Sequence, residues 1–548
     1  MPVIRLQYED LENLTGVRIE KIKERLPLMC ADVERMEADY MDVEFFPNRP
    51  DLFSVEGVSR ALKQFLGVKP GLVSYKVDKS GIEMVVDASV LDVRPYIVCG
   101  VVKNLRLDSS TIESLMLLQE HLHRGIGRNR EKVSIGVHDL AKVKPPFRYL
   151  AVDPLFSFVP LDYEEEMTMD EILKRHPKGI AFRYILEDKP KYPLILDSAK
   201  NVLSFPPIIN AELTRVTEST TDIFIDVTGL DVNVSIALNI IACALAERGG
   251  QIQSVLLHYP CPEGEEEKET PCFEPEEMEI SVKEVNSLIG IDLSVEECKR
   301  CCERMGLGAE VLGAMRKRSG EEMLVVKIPP YRYDVLHPWD IIEDIAIGYG
   351  YDRIEPEIPG TMVIGEAHPI EDKNGAVRGI MTGLGYFEVL TFTLTSEKRQ
   401  FEWMRRKSRA EKVGVASPIS SEHTMLRCSI LPNLLDILSL NKHRDFPQRI
   451  FEVGPVVLSF KEKYRLAAVS THASANFAEV KSVVDVVLKE LRLKDAALVE
   501  SEDDAFLEGR RADILRDGKH IGVFGELHPE AILNFGLNYP VVGFEVDI

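Results

Sequence analysis

No apolar run in this sequence reaches the roughly 18–20 residues that a membrane span needs. The nearest, VSIALNIIACALAERGG from Val234 to Gly250, is broken by Ser235 and Asn239 and reads as a buried helix. The N-terminus, MPVIRLQYEDLENLTG, carries no signal-peptide pattern, so a cytoplasmic location is expected. Basic charge is scarce: 66 lysines and arginines against 89 acidic residues leave a net charge of -23. That excludes a protein that coats nucleic acid with its whole surface, but leaves room for a local basic contact or a basic partner. Two basic clusters, HLHRGIGRNREK (His121 to Lys132) and RRKSR (Arg405 to Arg409), read either as solvated loops or as such contacts. Cysteine is sparse too: nine in all, an odd number, with no disulfide-like framework. Cys298, Cys301, Cys302 and Met305 fall at i, i+3, i+4 and i+7, between a Ser294/Glu297 capping box and a stop at Gly306. That is an apolar helix face of buried thiols rather than a zinc site, because no second ligand pair lies at a standard spacing. No internal repeat is present.

What is there suits a soluble globular protein: 45% hydrophobic and 28% charged residues. The length suggests roughly three or four domains. A first segment, residues 1–80, ends in a helix with Val55, Val58, Leu62 and Phe65 on one face and Gly67 as its stop. The turn-rich tract FPNRPD precedes it. A second, residues 87–260, mixes strand-like runs (PYIVCGVV, KVSIGV, PLIL, DIFIDVTG) with helices, an α+β pattern. The acidic, proline-containing tract from Pro260 to Met278 reads as a linker or exposed loop. A third, residues 279–355, opens on two capping boxes, Ser281/Glu284 and Ser294/Glu297, and is of winged-helix size. The fourth, residues 356–548, begins with a helix carrying Val377, Ile380, Met381 and Leu384 and closed by Gly385. Strand-like runs follow it, and a mainly antiparallel sheet with flanking helices fits them.

One stretch stands out: PPYRYDVLHPWDIIEDIAIGYGYDRI, Pro329 to Ile354. Asp340, Glu343 and Asp344 lie at i, i+3 and i+4, on one side of a helix that opens after Pro338. Asp334 sits at the exit of the apolar run MLVVKI. A strand end and a helix start could aim four hard oxygen ligands at one magnesium ion. Acidic residues in a first helical turn also favour the helix dipole with no metal present, and both readings stand.

Five separated motifs, in order, resemble the β subunit of phenylalanyl-tRNA synthetase. They are FPNRPDLFSVEGVSRAL (Phe46 to Leu62), IINAE with FIDVTG, the Pro329–Ile354 stretch, NKHRDFPQRIFEVG (Asn441 to Gly454) and IGVFGELHPE (Ile521 to Glu530). The short length, without an OB-type N-terminal or RRM-like C-terminal extension in these 548 residues, looks like the archaeal and eukaryotic cytosolic form, which is the form expected. The resemblance implies an (αβ)2 heterotetramer that charges tRNA(Phe) with phenylalanine using ATP and magnesium. The aminoacylation site would lie on the α subunit. It further implies a mixed α/β editing module, a small winged-helix-like module and a class II synthetase-like antiparallel sheet that lacks catalytic motifs. The family's magnesium ligands fall on Asp334, Asp340, Glu343 and Asp344. Arg427 and Arg449 lie near where a class II ATP clamp would be, yet the C-terminal AILNFGLNYPVVGFEVDI has no arginine to meet ATP phosphates.

Editing follows from chemistry. An apolar pocket rejects an added hydroxyl only by about 10^2. A second site built around tyrosine's hydroxyl does better, because phenylalanine leaves its polar group unpaired. FIDVTG offers Asp226 and Thr228 on one strand face, and VLSFPPIINAE offers Ser204, Asn210 and Glu212. By resemblance, Asp226 and Thr228 should meet the tyrosine hydroxyl, with Leu203 and Ser204 walling the pocket. Arg124, Arg128 and His138 should contact the tRNA 3′ end or the ester. No Ser–His–Asp set is legible, which points to water as the nucleophile. The competing readings are a scaffold that binds tRNA without editing, and an independent magnesium phosphohydrolase; the latter would need a base near the carboxylates, where only His337 lies.

Overall fold

The computed structural model describes residues 2–261, 264–312, 322–361, 363–409, 411–493 and 495–548. It divides into two compact units, Met1–Glu357 and Ile358–Ile548.

The first unit begins with a three-stranded sheet in the order Val3–Gln7, Tyr40–Phe45, Ala31–Met36. The expected helix follows at Val55–Phe65. Ser54 caps it by accepting from the Gly57 N–H at 3.3 Å, and Gly67, at φ +74°, takes the left-handed position after it. Arg248 reaches from behind the helix Val234–Glu247 to Asp10 (2.6 Å) and Glu56 (2.8 Å), and Lys63 reaches Glu247 at 2.6 Å. These pairs tie residues 1–80 onto the next segment, and one apolar core runs through both.

That next segment is a ten-stranded mixed sheet. Nine strands run in the order Ile209–Asn210, Val202–Phe205, Tyr192–Leu196, Phe147–Val152, Val77–Val86, Gln251–Cys261, Tyr96–Lys103, Ile223–Gly229, Val133–Asp139, and the tenth, Gly264–Thr270, branches off Gln251–Cys261. The helix Val234–Glu247 packs on Tyr96–Lys103 and Ile223–Gly229 through residues such as Ala237, Leu238 and Ile241. The helix Ser109–Arg124, capped by Asp108 on the Thr111 N–H at 2.7 Å, runs beside the outermost strand, Val133–Asp139. The tract read as a linker from Pro260 to Met278 is instead partly sheet. Gly264–Thr270 pairs antiparallel with Gln251–Cys261, and Glu276–Ser281 starts the next module. Its glutamates made it look like a loop, but charged side chains on an edge strand are solvated and guard that edge against foreign pairing.

The third segment is a sheet in the order Glu276–Ser281, Met323–Ile328, Gly308–Val311 with the helices Val282–Ile289, Val295–Arg304 and Pro338–Tyr349. Cys298, Cys301 and Cys302 are buried in its core, as their spacing requires. The Ser294/Glu297 capping box forms. The Ser281/Glu284 one does not, because Glu284 accepts from Trp339 Nε1 at 2.9 Å instead.

The second unit is a seven-stranded sheet: Phe387–Glu388, Gln448–Leu458, Lys461–Thr471, Val541–Asp547, Lys519–Leu527, Phe506–Arg516, Ala497–Glu500. Every pairing is antiparallel except the first. The helices Pro369–Gly383 and Phe477–Glu490 share one apolar cluster with this sheet, and Leu431–Leu440 shares another.

Candidate active site

The strand Val133–Asp139 has a sheet neighbour on one side only. On the other side its backbone is met by side chains. Gln119 Nε2 donates to the Ile135 carbonyl at 2.6 Å, the Ile135 N–H donates to His123 Nε2 at 2.9 Å, and Asn210 Nδ2 donates to the Val137 carbonyl at 3.2 Å. Side chains do not fill an edge as a strand would, and a cavity of about 390 Å³ opens here. Ser134 to Val137, the helix carrying Gln119 and His123, and the Ser204–Asn210 turn all line it.

Asp226 lines this cavity and is almost fully buried. Its Oδ2 lies 2.7 Å from His138 Nε2 and accepts from Ser204 Oγ at 3.4 Å. His138 is buried behind it, with Nδ1 2.8 Å from Thr214 Oγ1. The Thr214 hydroxyl proton can go to Nδ1 or to the Ala211 carbonyl at 3.1 Å; either way one proton lies between His138 and Asp226. Gly136, opposite Asp226 in the sheet, makes room for the pair. A Cβ there would sit 2.1 Å from Asp226 Oδ2 and 2.7 Å from His138 Nε2.

A charged group forms another part of the wall. Glu120 Oε1 accepts from Arg130 Nη2 at 2.5 Å and Lys178 Nζ at 2.9 Å, with His123 Nδ1 at 3.9 Å. His123, then Arg130 and Lys178, hold the Glu120 carboxyl well below the usual carboxylate range. Burial pushes His123 down to about 4, so its imidazole is neutral at pH 7. Since Nε2 accepts from Ile135, that neutral ring carries its proton on Nδ1.

Of the expected pocket residues, Asp226 and Ser204 line the cavity and Leu203 and Thr228 do not. Thr228 lies two residues along the same strand face, roughly 6.6 Å on, which carries it past the cavity. There it accepts from Arg94 Nε at 2.9 Å and lies 3.2 Å from Ser134 Oγ. The side chain of Leu203 is fully buried, and its carbonyl accepts from the Ala211 N–H. His138 is no surface contact: it positions Asp226 from the interior. Arg124 is exposed, and Arg128 lines a separate cavity of about 290 Å³ with Lys132, Asp231 and Tyr333. Glu120, His123, Thr214, Gly136 and Lys178 were not singled out from the sequence, although Glu120 and His123 lie in or beside the basic cluster read there, whose loop ends at Arg130.

Three family models match the chain: a B3/4 domain over 122–255, a tRNA synthetase B5 domain over 278–351, and a phenylalanyl tRNA synthetase beta chain CLM domain over 354–548. The chain is 53% identical, over its whole length and that of the relative, to the phenylalanine–tRNA ligase beta subunit of Methanococcoides burtonii. It is 54% identical to that of Methanosarcina acetivorans, over 100% of this chain and 98% of the relative. The chain belongs to the phenylalanine–tRNA ligase beta subunit family. A crystal structure of an N-terminal fragment of the phenylalanyl-tRNA synthetase beta subunit from Pyrococcus horikoshii is similar, with a TM-score of 0.60 and 39% identity, covering 64% of this chain and 99% of the fragment. Asp226, His138 and Glu212 fall within the B3/4 match, and the four carboxylates of the Pro329–Ile354 stretch fall within the B5 match.

Those four carboxylates are engaged as follows. Arg332 donates to Asp334 at 2.6 and 2.8 Å and to Asp344 at 2.8 Å. Asp340 accepts from the N–H groups of Leu336 and His337 and closes a capping box with His337. Burial, then the charges of Asp344, Asp340 and Asp334, push the Glu343 carboxyl above its ordinary value. The orphaned buried polar atom beside them is Arg332 Nη1, a donor that calls for an acceptor and not a cation. Among the described residues no group of three or more His, Cys, Asp or Glu is arranged to hold a metal. As arranged, the set does not fit magnesium: it is a capped helix start and a buried arginine clasp. His337 caps its helix.

In the second unit Arg427 is fully buried and bonded to Glu452 at 2.6 Å, Thr391 at 2.9 Å and the Pro455 carbonyl at 2.8 Å. Arg449 meets Glu479 at 3.4 Å. Among the described residues no helix is long and apolar enough to cross a membrane.

Proposed function

We propose that this chain, assembled with an α subunit as an (αβ)2 complex in the cytoplasm, hydrolyses tyrosyl-tRNA(Phe) in the cavity beside Val133–Asp139. The carrying observation is the buried Asp226, held by His138 and Ser204 and facing the cavity. A tyrosine hydroxyl entering there donates to the carboxylate; phenylalanine leaves it without that bond, at a cost of about 1–3 kcal/mol. Water adds to the ester carbonyl, the bond to the ribose oxygen breaks, and the ribose hydroxyl leaves with a proton. No Ser–His–Asp arrangement among the lining residues competes with water as nucleophile.

Charging itself belongs to the α subunit, along with its ATP and magnesium. The second unit, with its antiparallel sheet, is a class II-like scaffold without catalysis: its buried Arg427 is spent on Glu452 and is not available to ATP. Support for the partnership comes from the family to which the chain belongs. In the assembled enzyme Asp226→Ala should abolish deacylation of tyrosyl-tRNA(Phe) while charging with phenylalanine continues. Unchanged deacylation would leave the scaffold reading in its place.

A further inference from the structure

An aminoacyl ester carries a second feature that a selective cavity can read, its α-ammonium. Three carboxylates line the cavity: Asp226, Asp162 and Glu120. Asp226 is committed to His138 and Ser204. The Asp162 side chain is 67% exposed and paired with Arg215 at 2.5 Å. Glu120 is the one already holding an ammonium, that of Lys178, at 2.9 Å.

The three groups around Glu120 differ in how firmly they are held. Arg130 is buried, donates to the Ile208 carbonyl at 2.9 Å, and lies over the Phe182 ring at 4.7 Å. His123 is buried and fixed by Ile135. The Lys178 side chain is 42% exposed, on a long flexible stem. An exposed lysine–carboxylate pair is worth little, so Lys178 returns to water at small cost. Another ammonium in its place would find the same carboxylate, the same Arg130 and the same charge balance.

The geometry points to Glu120 as the residue that takes the α-ammonium of the aminoacyl group, with Lys178 holding that place while the cavity is empty. This rests on the editing reading. Asp226 then reads the side-chain hydroxyl and Glu120 reads the amino group, so the ester is recognised at two positions.

The test compares two substrates in the assembled enzyme under single-turnover conditions: tyrosyl-tRNA(Phe), and the same tRNA esterified with 3-(4-hydroxyphenyl)lactate, whose hydroxyl replaces the ammonium. Glu120→Gln should slow the tyrosyl ester by roughly 10- to 100-fold relative to its effect on the hydroxy ester, the range for one charge-assisted hydrogen bond. Equal slowing of both, or of neither, would overturn the assignment. Lys178→Met should lower the half-saturating concentration for the tyrosyl ester and not for the hydroxy ester; no difference between the two would overturn the place-holding role. That second variant keeps Glu120 and Arg130 together and decides the matter if Glu120→Gln fails to assemble. If the unaltered enzyme deacylates neither ester, the editing reading falls and this assignment with it. If it deacylates both but Glu120→Gln does not tell them apart, only this assignment falls.

Discussion

His138 Nε2 lies 2.7 Å from Asp226 Oδ2, on neighbouring antiparallel strands, with Gly136 leaving the space between them. The imidazole therefore lies behind the carboxylate, buried and away from the cavity lining. Replacing His138 with leucine should leave Asp226 in place but unpartnered on its inner side. Deacylation of tyrosyl-tRNA(Phe) should fall by roughly tenfold or more, the scale of a buried hydrogen bond to a charged group.

Gly136 leaves no room for a side chain beside the Asp226–His138 pair. Gly136→Ala would place a methyl 2.1 Å from Asp226 Oδ2. Overpacking of this kind costs about 1–3 kcal/mol. A lowered melting temperature together with lost deacylation is expected, and a fully active, equally stable variant would show that the pair can move aside.

Thr228 separates the structural from the functional part of the strand. Thr228→Val removes the acceptor of Arg94 Nε, whose guanidinium also holds the carbonyls of Arg130, Glu131 and Thr228. Stability should drop by about 1–3 kcal/mol while the ratio of tyrosyl to phenylalanyl ester hydrolysis stays unchanged. A changed ratio would return Thr228 to the pocket.

His123 makes stability depend on pH. Its folded value of about 4 lies below the ordinary 6.5, so between these values the unfolded chain binds more protons. Stability is then full above pH 6.5 and falls as pH drops toward 4, by up to about 3 kcal/mol for this one group. Denaturant titrations across this window should be flatter for His123→Gln. A slope identical to that of the unaltered chain would mean that His123 is protonated in the fold.

The arginine clasp predicts the behaviour of the acidic cluster. Asp344→Asn should cost about 3–5 kcal/mol, since it leaves the buried Arg332 short of a charge partner. Chelating agents should not change the melting temperature of the isolated chain. A drop on chelation would place a cation among Asp334, Asp340, Glu343 and Asp344.

Much of the fold was legible because it is local. The helix Val55–Phe65 followed from four apolar positions on one face and a glycine stop, and Val295–Arg304 from a capping box and a thiol face. The strand Gly264–Thr270 was missed because its glutamates carry no alternation of apolar residues; only its pairing with Gln251–Cys261 makes it a strand. Of the pocket residues expected from the motifs, Asp226, read by strand alternation, and Ser204, read beside a Pro-Pro turn, line the cavity. Alternation also placed Thr228 with them, since it reports which face a residue takes and not how far along that face a cavity extends.

The sequence by itself determined the family, several of the helices, the thiol face and the candidate carboxylate Asp226. These rest on contiguous motifs and on repeats of two or four residues, which a chain displays before it folds. The tertiary structure alone decided which charges meet. Glu120 and Lys178 are 58 residues apart in sequence, and His138 and Asp226 are 88 apart. Nothing local records that one pair shares a cavity wall and the other lies at the core of the site. In the acidic stretch too, Asp334 and Asp344 close on Arg332 because a strand exit and a helix bring them to one guanidinium. Long-range packing sets these distances, and electrostatic partnership depends on distance rather than on sequence order.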